Sequence, residues 1–230
     1  MKIIIATVKT WNIKKAQELQ KNNLGKHEIQ IIEHREDLNA DWLLLFKPDF
    51  IFFPHWSYII PEDIYEKYNC VVFHMTDLPF GRGGSPLQNL IVRGIKDTKL
   101  SAIKVVREID AGPVYLKEPL SLSGSAEEIY RRASEVVFNK MIPAFLNRNV
   151  LSPKEQQGIP VYFKRRTAEQ SELKEEMSLS QIYDYIRMLD AEGYPNAYLV
   201  FGKYRIKLRN ARFSSGRIHA EADIVMEEEE

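Results

Sequence analysis

The chain has 230 residues, 44% hydrophobic and 11% aromatic, so it can bury a sizeable core as one domain with an appendage or as two unequal domains. Its 32 basic and 32 acidic residues cancel, which argues against a global field that recruits nucleic acid or an anionic membrane. The single cysteine, Cys70, excludes an internal disulfide framework and favours a reducing compartment, and no Cys/His cluster has metal-ligand spacing.

The chain begins with an apolar strand pattern at residues 3–8, which starts too early and is too short for a signal peptide. No apolar run approaches the roughly twenty residues needed to cross a bilayer. We therefore expect a soluble, cytoplasmic protein with no membrane partner. The like-charge run at residues 226–230 is typical of a solvated chain end.

Strand and helix patterns alternate through the first 95 residues. Apolar, strand-like runs occupy residues 3–8, 27–33, 47–54 and 70–73, and helical patterns follow them at 13–22, 38–45, 61–68 and 85–94. Such alternation predicts βαβ units and a mainly parallel sheet. The continuous apolar run at 47–54 is typical of a strand that is buried on both faces.

The second half of the chain is more mixed. Strand-like runs at 100–109 and 114–122 flank a turn and predict a hairpin or a bent pair. A capping box at Ser125 opens a helix through residue 145. Residues 147–161 are polar and lack periodicity. After them we expect a helix at 178–191, a hairpin at 197–208 that turns at Gly202, and a strand at 218–225.

His74 and Asp110 are titratable residues next to predicted strands. His74 ends the apolar run 70–73, and ligands of open α/β sheets bind at the carboxyl ends of strands. Each also has an ordinary explanation, as a hydrogen-bonded core histidine and a turn aspartate. Dinucleotide, P-loop and nucleophile-elbow motifs do not occur in the sequence. Together the two residues would therefore serve general acid/base chemistry without covalent catalysis.

A longer pattern around these residues resembles a known family. The residues His74, Leu78-Pro79, Arg82-Gly83, Ser85-Pro86 and Asp110-Ala111-Gly112 resemble the signature of the formyltransferases that use 10-formyltetrahydrofolate. Residues 162–167 resemble a second run, found in the tRNA and sugar branches of that family. The resemblance implies an α/β, Rossmann-like formyltransferase core with a mainly parallel twisted sheet over residues 1–170. A small α+β region with a helix and a β-hairpin would follow over 171–230.

The resemblance also implies a reaction in which a primary amine attacks the formyl carbon and tetrahydrofolate leaves through N10. His74 would hydrogen-bond or protonate the developing oxyanion, and Asp110 would orient His74 and help to move the proton. The family has an asparagine two residues before this histidine, where the chain has Val72, which cannot donate a hydrogen bond.

We expect a neighbouring side chain to replace the missing donor. His55 and Ser57, at the end of the preceding strand, are the first candidates, and His55 is therefore included among the catalytic residues. Gln88 and Asn89 on the following helix are further options. Since an imidazole at a strand end needs only one partner, His55 could equally be a core or surface residue.

The formyl donor would bind between the end of the third strand and the loop after His74, and no metal is expected. Trp56 could pack on the folate or could belong to the core, and glycines would let the backbone approach the pterin closely. The expected contacts to the formyl donor are Trp56, Ser57, Leu78, Phe80, Gly81, Arg82, Gly83 and Ile109. The expected contacts to the acceptor are Thr10, Trp11, Asn12, Lys164 and Arg165.

Residues 73–86 resemble the sugar N-formyltransferase branch in particular. This implies an acceptor amine on a nucleotide-linked amino deoxysugar and a role in surface-polysaccharide biosynthesis. Neutral charge and a short region after residue 170 argue against a nucleic-acid partner. The alternatives are formyl transfer to an amino acid, an aminoacyl carrier or methionyl-tRNA, and an inactive folate or nucleotide-sugar binding module. A homodimer also stays open.

Overall fold

A computed structural model describes residues 1–148 and 152–226. The acidic chain end expected at residues 226–230 lies outside the described residues, apart from Met226. The chain folds into two compact units. The first comprises Met1–Arg82, Thr98–Leu120 and Arg131–Tyr162, and the second comprises Gly83–Asp97, Ser121–Tyr130 and the chain from Phe163 onward. The domain boundary at residue 170 stays a prediction.

The strands are β1 (Lys2–Ala6), β2 (Glu28–Ile32), β3 (Phe50–Phe53), β4 (Cys70–His74), β5 (Phe80–Gly83), β6 (Asp97–Lys104), β7 (Val114–Ser121), β8 (Val161–Phe163), β9 (Ala197–Phe201), β10 (Tyr204–Ser214) and β11 (Arg217–Met226). The α-helices are α1 (Thr10–Asn22), α2 (Ala40–Phe46), α3 (Glu62–Tyr65), α4 (Pro86–Ile91), α5 (Ala126–Val136), α6 (Ile142–Leu146) and α7 (Leu179–Leu189). Short 3-10 turns lie at Arg35–Asp37 and Ala168–Ser171, and a π-helical turn at Val137–Met141 joins α5 to α6.

The main sheet has six strands in the order β2-β1-β3-β4-β6-β7. The neighbours β2/β1, β1/β3 and β3/β4 are parallel, whereas β4 and β6 are antiparallel. The strand order reverses between β1 and β3, and ligands of open sheets bind outside the carboxyl ends of strands at such a point. The predicted α/β class with a mainly parallel sheet is confirmed.

Continuous apolar runs become the buried strands of this sheet. Ile3, Ile4 and Ile5 of β1 and Phe52 of β3 have no exposed surface. One buried cluster on the sheet joins residues of β1 and β3 to α2, α3 and the start of β4; it includes Ile4, Ile51, Phe53, Leu43, Ile64 and Cys70. This packing fixes the strand ends that carry the candidate site.

Helix and strand ends differ from the predictions where tertiary contacts decide them. The first helix begins at Thr10 rather than at residue 13, because Trp11 and Asn12 are buried in its first turn. The predicted strand 100–109 ends at Lys104, and the following residues 107–109 are exposed. The single predicted helix 125–145 contains the π-helical turn, which lies just before Pro143; proline has no N–H for the regular hydrogen bond.

The second unit contains an antiparallel sheet in the order β11-β10-β9, with α7 in contact with it. The predicted turn at Gly202 is confirmed, since Tyr204 of β10 pairs with Phe201 of β9. Ser178 caps α7 through a capping box with Gln181. In the part of the chain that the structure describes, no helix is long and apolar enough to cross a membrane.

Candidate active site

His74 is the last residue of β4, and its side chain is 9% exposed. Its Nε2 lies 2.8 Å from the carbonyl oxygen of Gly81, and its Nδ1 lies 3.5 Å from Asp110 Oδ2. Both ring nitrogens therefore face acceptors. A neutral imidazole has one N–H, so only a doubly protonated ring could donate to both. The Nδ1 side of the ring therefore faces a carboxylate that can stabilise positive charge on the imidazole.

Asp110 lies in the loop between β6 and β7 and has a left-handed backbone, with φ of 54°. Aspartate tolerates that conformation better than most residues do. The loop is also tightly packed, since a Cβ on Gly112 would lie 1.7 Å from the carbonyl oxygen of Lys104. Only glycine fits there. The loop therefore presents Asp110, with 16% of its side chain exposed, to His74 in a defined orientation.

Gln156 joins β5 to the loop that carries Asp110, and it is absent from the residues predicted from the sequence. Its Nε2 donates to the carbonyl oxygens of Asp110 and Gly112, at 2.8 Å each. Its Oε1 accepts from Arg82 Nε at 3.0 Å and Nη2 at 2.9 Å. Residues 147–161 carry no periodicity, so no local signal could have marked this glutamine. Its contacts alone distinguish it.

Val72 lies two residues before His74 on β4 and packs against the core cluster of the sheet. Two of the proposed replacement donors are used elsewhere. Gln88 donates to Tyr130 Oη and to the carbonyl oxygen of Met188. Asn89 donates to the carbonyl oxygens of Gly84, Ser85 and Lys164. Both amides therefore hold the second unit together.

His55 and Ser57, the first candidates, follow β3. Ser57 is exposed, and His55 has a left-handed backbone with φ of 54°. Burial and then the nearby charge of Lys9 lower the pKa of His55 to about 4. Its ring is therefore neutral near pH 7, when it can donate one hydrogen bond. The replacement by His55 or Ser57 stays a prediction.

The residues expected to bind the formyl donor occupy different environments. Trp56 packs edge-to-face on Phe53 and Tyr58, with ring centroids 5.7 and 5.2 Å away. Leu78 is buried and Phe80 and Gly81 belong to β5, whereas Ile109 is 67% exposed. Gly83 lies in the second unit.

The Arg82 side chain hydrogen-bonds to other residues of the chain. Besides Gln156, its Nη1 donates to Glu108 Oε1 at 3.1 Å and to Tyr162 Oη at 3.2 Å. Its side chain is 11% exposed. A folate contact by Arg82 stays a prediction, but its observed partners give it a role in joining loops.

The expected acceptor-binding residues are divided between the two units. Trp11 and Asn12 are 5% and 2% exposed, and Asn12 Nδ2 donates to the carbonyl oxygen of Pro54 at 3.2 Å. They hold the first turn of α1 against the end of β3, and Thr10 is the exposed residue of the three. Lys164 and Arg165 are exposed and belong to the second unit.

Among residues 1–148 and 152–226, no group of three or more His, Cys, Asp or Glu side chains could hold a metal ion. For the folate, Trp56 offers a relevant observation. Its indole Nε1 is buried and has no hydrogen-bond partner among the described residues. A buried donor without a partner costs stability, so a ligand acceptor at that point would satisfy it. The residues at the end of β3 therefore fit a pterin with its several acceptor atoms.

Comparison with known proteins identifies the family. The family model described as "Methionyl-tRNA formyltransferase, C-terminal domain" matches residues 168–225. A structure named "Methionyl-tRNA formyltransferase from Clostridium thermocellum" is 53% identical, with a TM-score of 0.96 over 98% of this chain and 99% of that one. Methionyl-tRNA formyltransferase of Halalkalibacterium halodurans is 25% identical over 89% of this chain, which spans 67% of that protein's length.

These relatives correct the expected acceptor. The expectation of a nucleotide-linked amino sugar, with a polysaccharide role, was wrong, because the relatives are named for methionyl-tRNA. The expectation of no nucleic-acid partner conflicts with the same names. A 4-N formyltransferase from Francisella tularensis shares the fold, with a TM-score of 0.69 over 96% of both chains, but only 16% identity. The formyltransferase assignment and 10-formyltetrahydrofolate as co-substrate are confirmed, and the chain belongs to the methionyl-tRNA formyltransferase-like family of 10-formyltetrahydrofolate-dependent N-formyltransferases.

Proposed function

We propose that this chain transfers the formyl group of 10-formyltetrahydrofolate to the α-amine of methionyl-tRNA. The observation that carries the proposal is the 53% identity, over 98% of the chain, to a structure named for that acceptor. The C-terminal match begins at residue 168. It supports the division into a catalytic domain over residues 1–170 and a C-terminal region over residues 171–230, which is part of the proposal.

His74 and Asp110 carry the chemistry in this proposal. The amine nitrogen attacks the formyl carbon, the carbonyl oxygen gains negative charge, and the bond from carbon to N10 breaks. The attacking amine loses a proton and N10 gains one, so the transfer balances. In this step His74 Nε2 exchanges the Gly81 carbonyl for the charged oxygen, hydrogen-bonds it and passes the proton, and the carboxylate 3.5 Å from its Nδ1 stabilises positive charge on the ring.

The formyl donor is held, in this proposal, at the carboxyl ends of β3 and β4. Trp56 donates from its indole nitrogen, and the Leu78–Gly81 segment supplies backbone groups. The donor supplies an activated one-carbon group, and the chain's residues position it and exclude water. His55 and Ser57 remain the proposed donors to the oxyanion in place of the family asparagine.

A panel of amines tests the acceptor. The purified full chain is incubated with 10-formyltetrahydrofolate and with methionyl-tRNA, free methionine, a methionyl thioester or uncharged tRNA. Mass spectrometry then detects a formyl adduct. We expect formylmethionyl-tRNA, with kcat/KM for methionyl-tRNA well above that for the other amines. Preferential formylation of free methionine or of the thioester, or no formylation of any amine, would overturn the proposal.

Two histidine variants, one under test and one as its matched control, probe the role of His74 in this assay. His74→Gln removes the proposed acid/base group and should lower kcat by about a hundredfold or more. His219→Gln changes an exposed histidine of β11 in the second unit and should leave the rate unchanged. Equal rates for the two variants would contradict the role of His74.

A further inference from the structure

We propose that Gln156 is a positioning residue that sets the separation of His74 and Asp110 by tying the loop that carries Asp110 to β5, whose Gly81 carbonyl faces the His74 ring. This inference rests on the proposed function in one respect, since it takes the His74–Asp110 pair to be the reacting pair. It adds a residue that the family resemblance did not supply.

The amide of Gln156 uses its full hydrogen-bonding capacity. A glutamine amide has two N–H donors and an oxygen that accepts two hydrogen bonds. Here both N–H groups donate to backbone carbonyls, those of Asp110 and Gly112. The oxygen accepts twice from the guanidinium of Arg82. The partners also fix the orientation, because a flipped amide would set its oxygen against two carbonyls and its NH2 against a cation.

Each pair of hydrogen bonds leads directly to one partner of the His74 ring. Asp110, whose carbonyl oxygen is bound by Gln156, has its carboxylate 3.5 Å from Nδ1. Arg82 follows Gly81, whose carbonyl oxygen lies 2.8 Å from Nε2. The two groups that face the ring are therefore joined through one side chain. A shift of Gln156 would move both of them relative to the imidazole.

The two ends of this connection are themselves anchored. Arg82 Nη1 donates to Glu108 Oε1 and Tyr162 Oη, and Tyr162 Oη donates to Glu108 Oε1 at 2.7 Å. The segment that carries Gln156 is attached to β7 at Lys154, which exchanges two backbone hydrogen bonds with Val114, at 2.7 and 2.9 Å. Gln156 therefore links a segment that is held on β7 to the loop that carries Asp110.

Loss of this side chain should act on the rate more than on binding. A displacement of about 1 Å in a catalytic group can cost up to about a hundredfold in rate. Gln156→Met removes the four hydrogen bonds at similar volume. We expect it to lower the single-turnover rate by about tenfold to a hundredfold, with KM for the formyl donor within about threefold of the wild type. Gln157→Met, at the exposed neighbouring position, is the matched control and should keep the wild-type rate.

A second background separates positioning from a general structural role. Once Asp110→Asn has removed the carboxylate, adding Gln156→Met should lower the rate by less than about twofold, because the carboxylate is the one charged group of the reacting pair whose position Gln156 sets. A residue that only stabilises the fold would cost the same in both backgrounds. A loss in Gln156→Met below about threefold, or a loss that persists in the Asp110→Asn background, would overturn the proposal. If Gln156→Met does not fold, Gln156→Asn, which is one methylene shorter, replaces it.

Hydrogen exchange of the backbone amides of residues 108–112 needs no acceptor amine and so separates this proposal from the acceptor assignment. We expect exchange at least about tenfold faster in Gln156→Met than in the wild type or in Gln157→Met. Unchanged exchange overturns the positioning role, whatever the acceptor. Faster exchange in a chain that does not formylate methionyl-tRNA refutes the acceptor alone, and the kinetics are then read with the amine that the panel identifies.

Discussion

Replacing Asp110 with asparagine tests whether its charge assists His74. The two side chains are 16% and 9% exposed, and 3.5 Å separates Asp110 Oδ2 from His74 Nδ1. At that distance and an effective dielectric constant of about 20, a full charge on the ring interacts with the carboxylate by roughly 5 kcal/mol. If half of the charge develops in the transition state, the loss is about 2.4 kcal/mol, or roughly fiftyfold in rate. We therefore expect a loss of about fiftyfold.

The measurement is a single-turnover rate with both substrates saturating, followed by rapid quench and mass spectrometry. Asp63→Asn, at an exposed position of α3, is the matched control. Thermal unfolding shows whether each variant is folded. A folded Asp110→Asn variant that loses less than threefold in rate would refute the electrostatic role. An unchanged kcat with a raised KM would instead assign the carboxylate to substrate binding.

Three further substitutions test the site. Gly112→Ala places a Cβ 1.7 Å from the carbonyl oxygen of Lys104, so we expect a loss of about 1–3 kcal/mol in unfolding free energy and a slower single turnover; unchanged values would contradict the packing. The lowered pKa of His55, about 4, means that the unfolded chain takes up a proton first as pH falls below about 6.5, so stability is lost between pH 6.5 and 4. Between pH 7 and 4.5, the free energy of unfolding of His55→Asn should therefore fall by about 2 kcal/mol less than that of the wild type. Urea titrations followed by tryptophan fluorescence measure both values, and equal decreases would refute the lowered pKa of His55. Val72→Asn should raise the single-turnover rate by about tenfold and lower stability by about 1–3 kcal/mol, and an unchanged rate would show that the oxyanion already has its donors.

The sheet could be predicted because its strands are specified locally. The runs around Ile3–Ile5 and Phe50–Phe53 are apolar throughout, which indicates burial on both faces wherever they occur. By contrast, β5 and β8 are four and three residues long and carry no repeating pattern. Their extended conformation comes from pairing with each other, which is a tertiary contact. Local sequence therefore gives no strand signal at these two places.

The candidate site likewise contains residues that the local sequence identifies and one residue that it does not. His74 and Asp110 could be found because each follows a strand and belongs to a motif. Gln156 could not, since its function comes from four hydrogen bonds at sequence separations of 44 to 74 residues. A polar residue in a stretch without periodicity gives no sign of such partners before the chain is folded.

The acceptor was predicted wrongly for a physical reason. Residues 73–86 surround the candidate acid/base residue, and the resemblance implies the same formyl donor for the tRNA and sugar branches of the family. A motif that serves the shared donor constrains the acceptor little. Net charge was no better a guide, because a sum over 230 residues does not describe the local surface that meets a ligand.

Val72 removes one possible hydrogen-bond donor to the oxyanion. The family resemblance implies an asparagine at this position, whereas the Val72 side chain packs on the core and donates nothing, and Gln88 and Asn89 donate to other acceptors. In the proposal above, His55 or Ser57 supplies this hydrogen bond, so the oxyanion depends on a small number of donors and each carries a large share of the stabilisation. His74 must be accurately placed as well, because a catalytic group displaced by about 1 Å can lose up to about a hundredfold in rate. The rigid connection through Gln156 and the close packing at Gly112 are therefore consistent with a site that depends on the accurate placement of one imidazole.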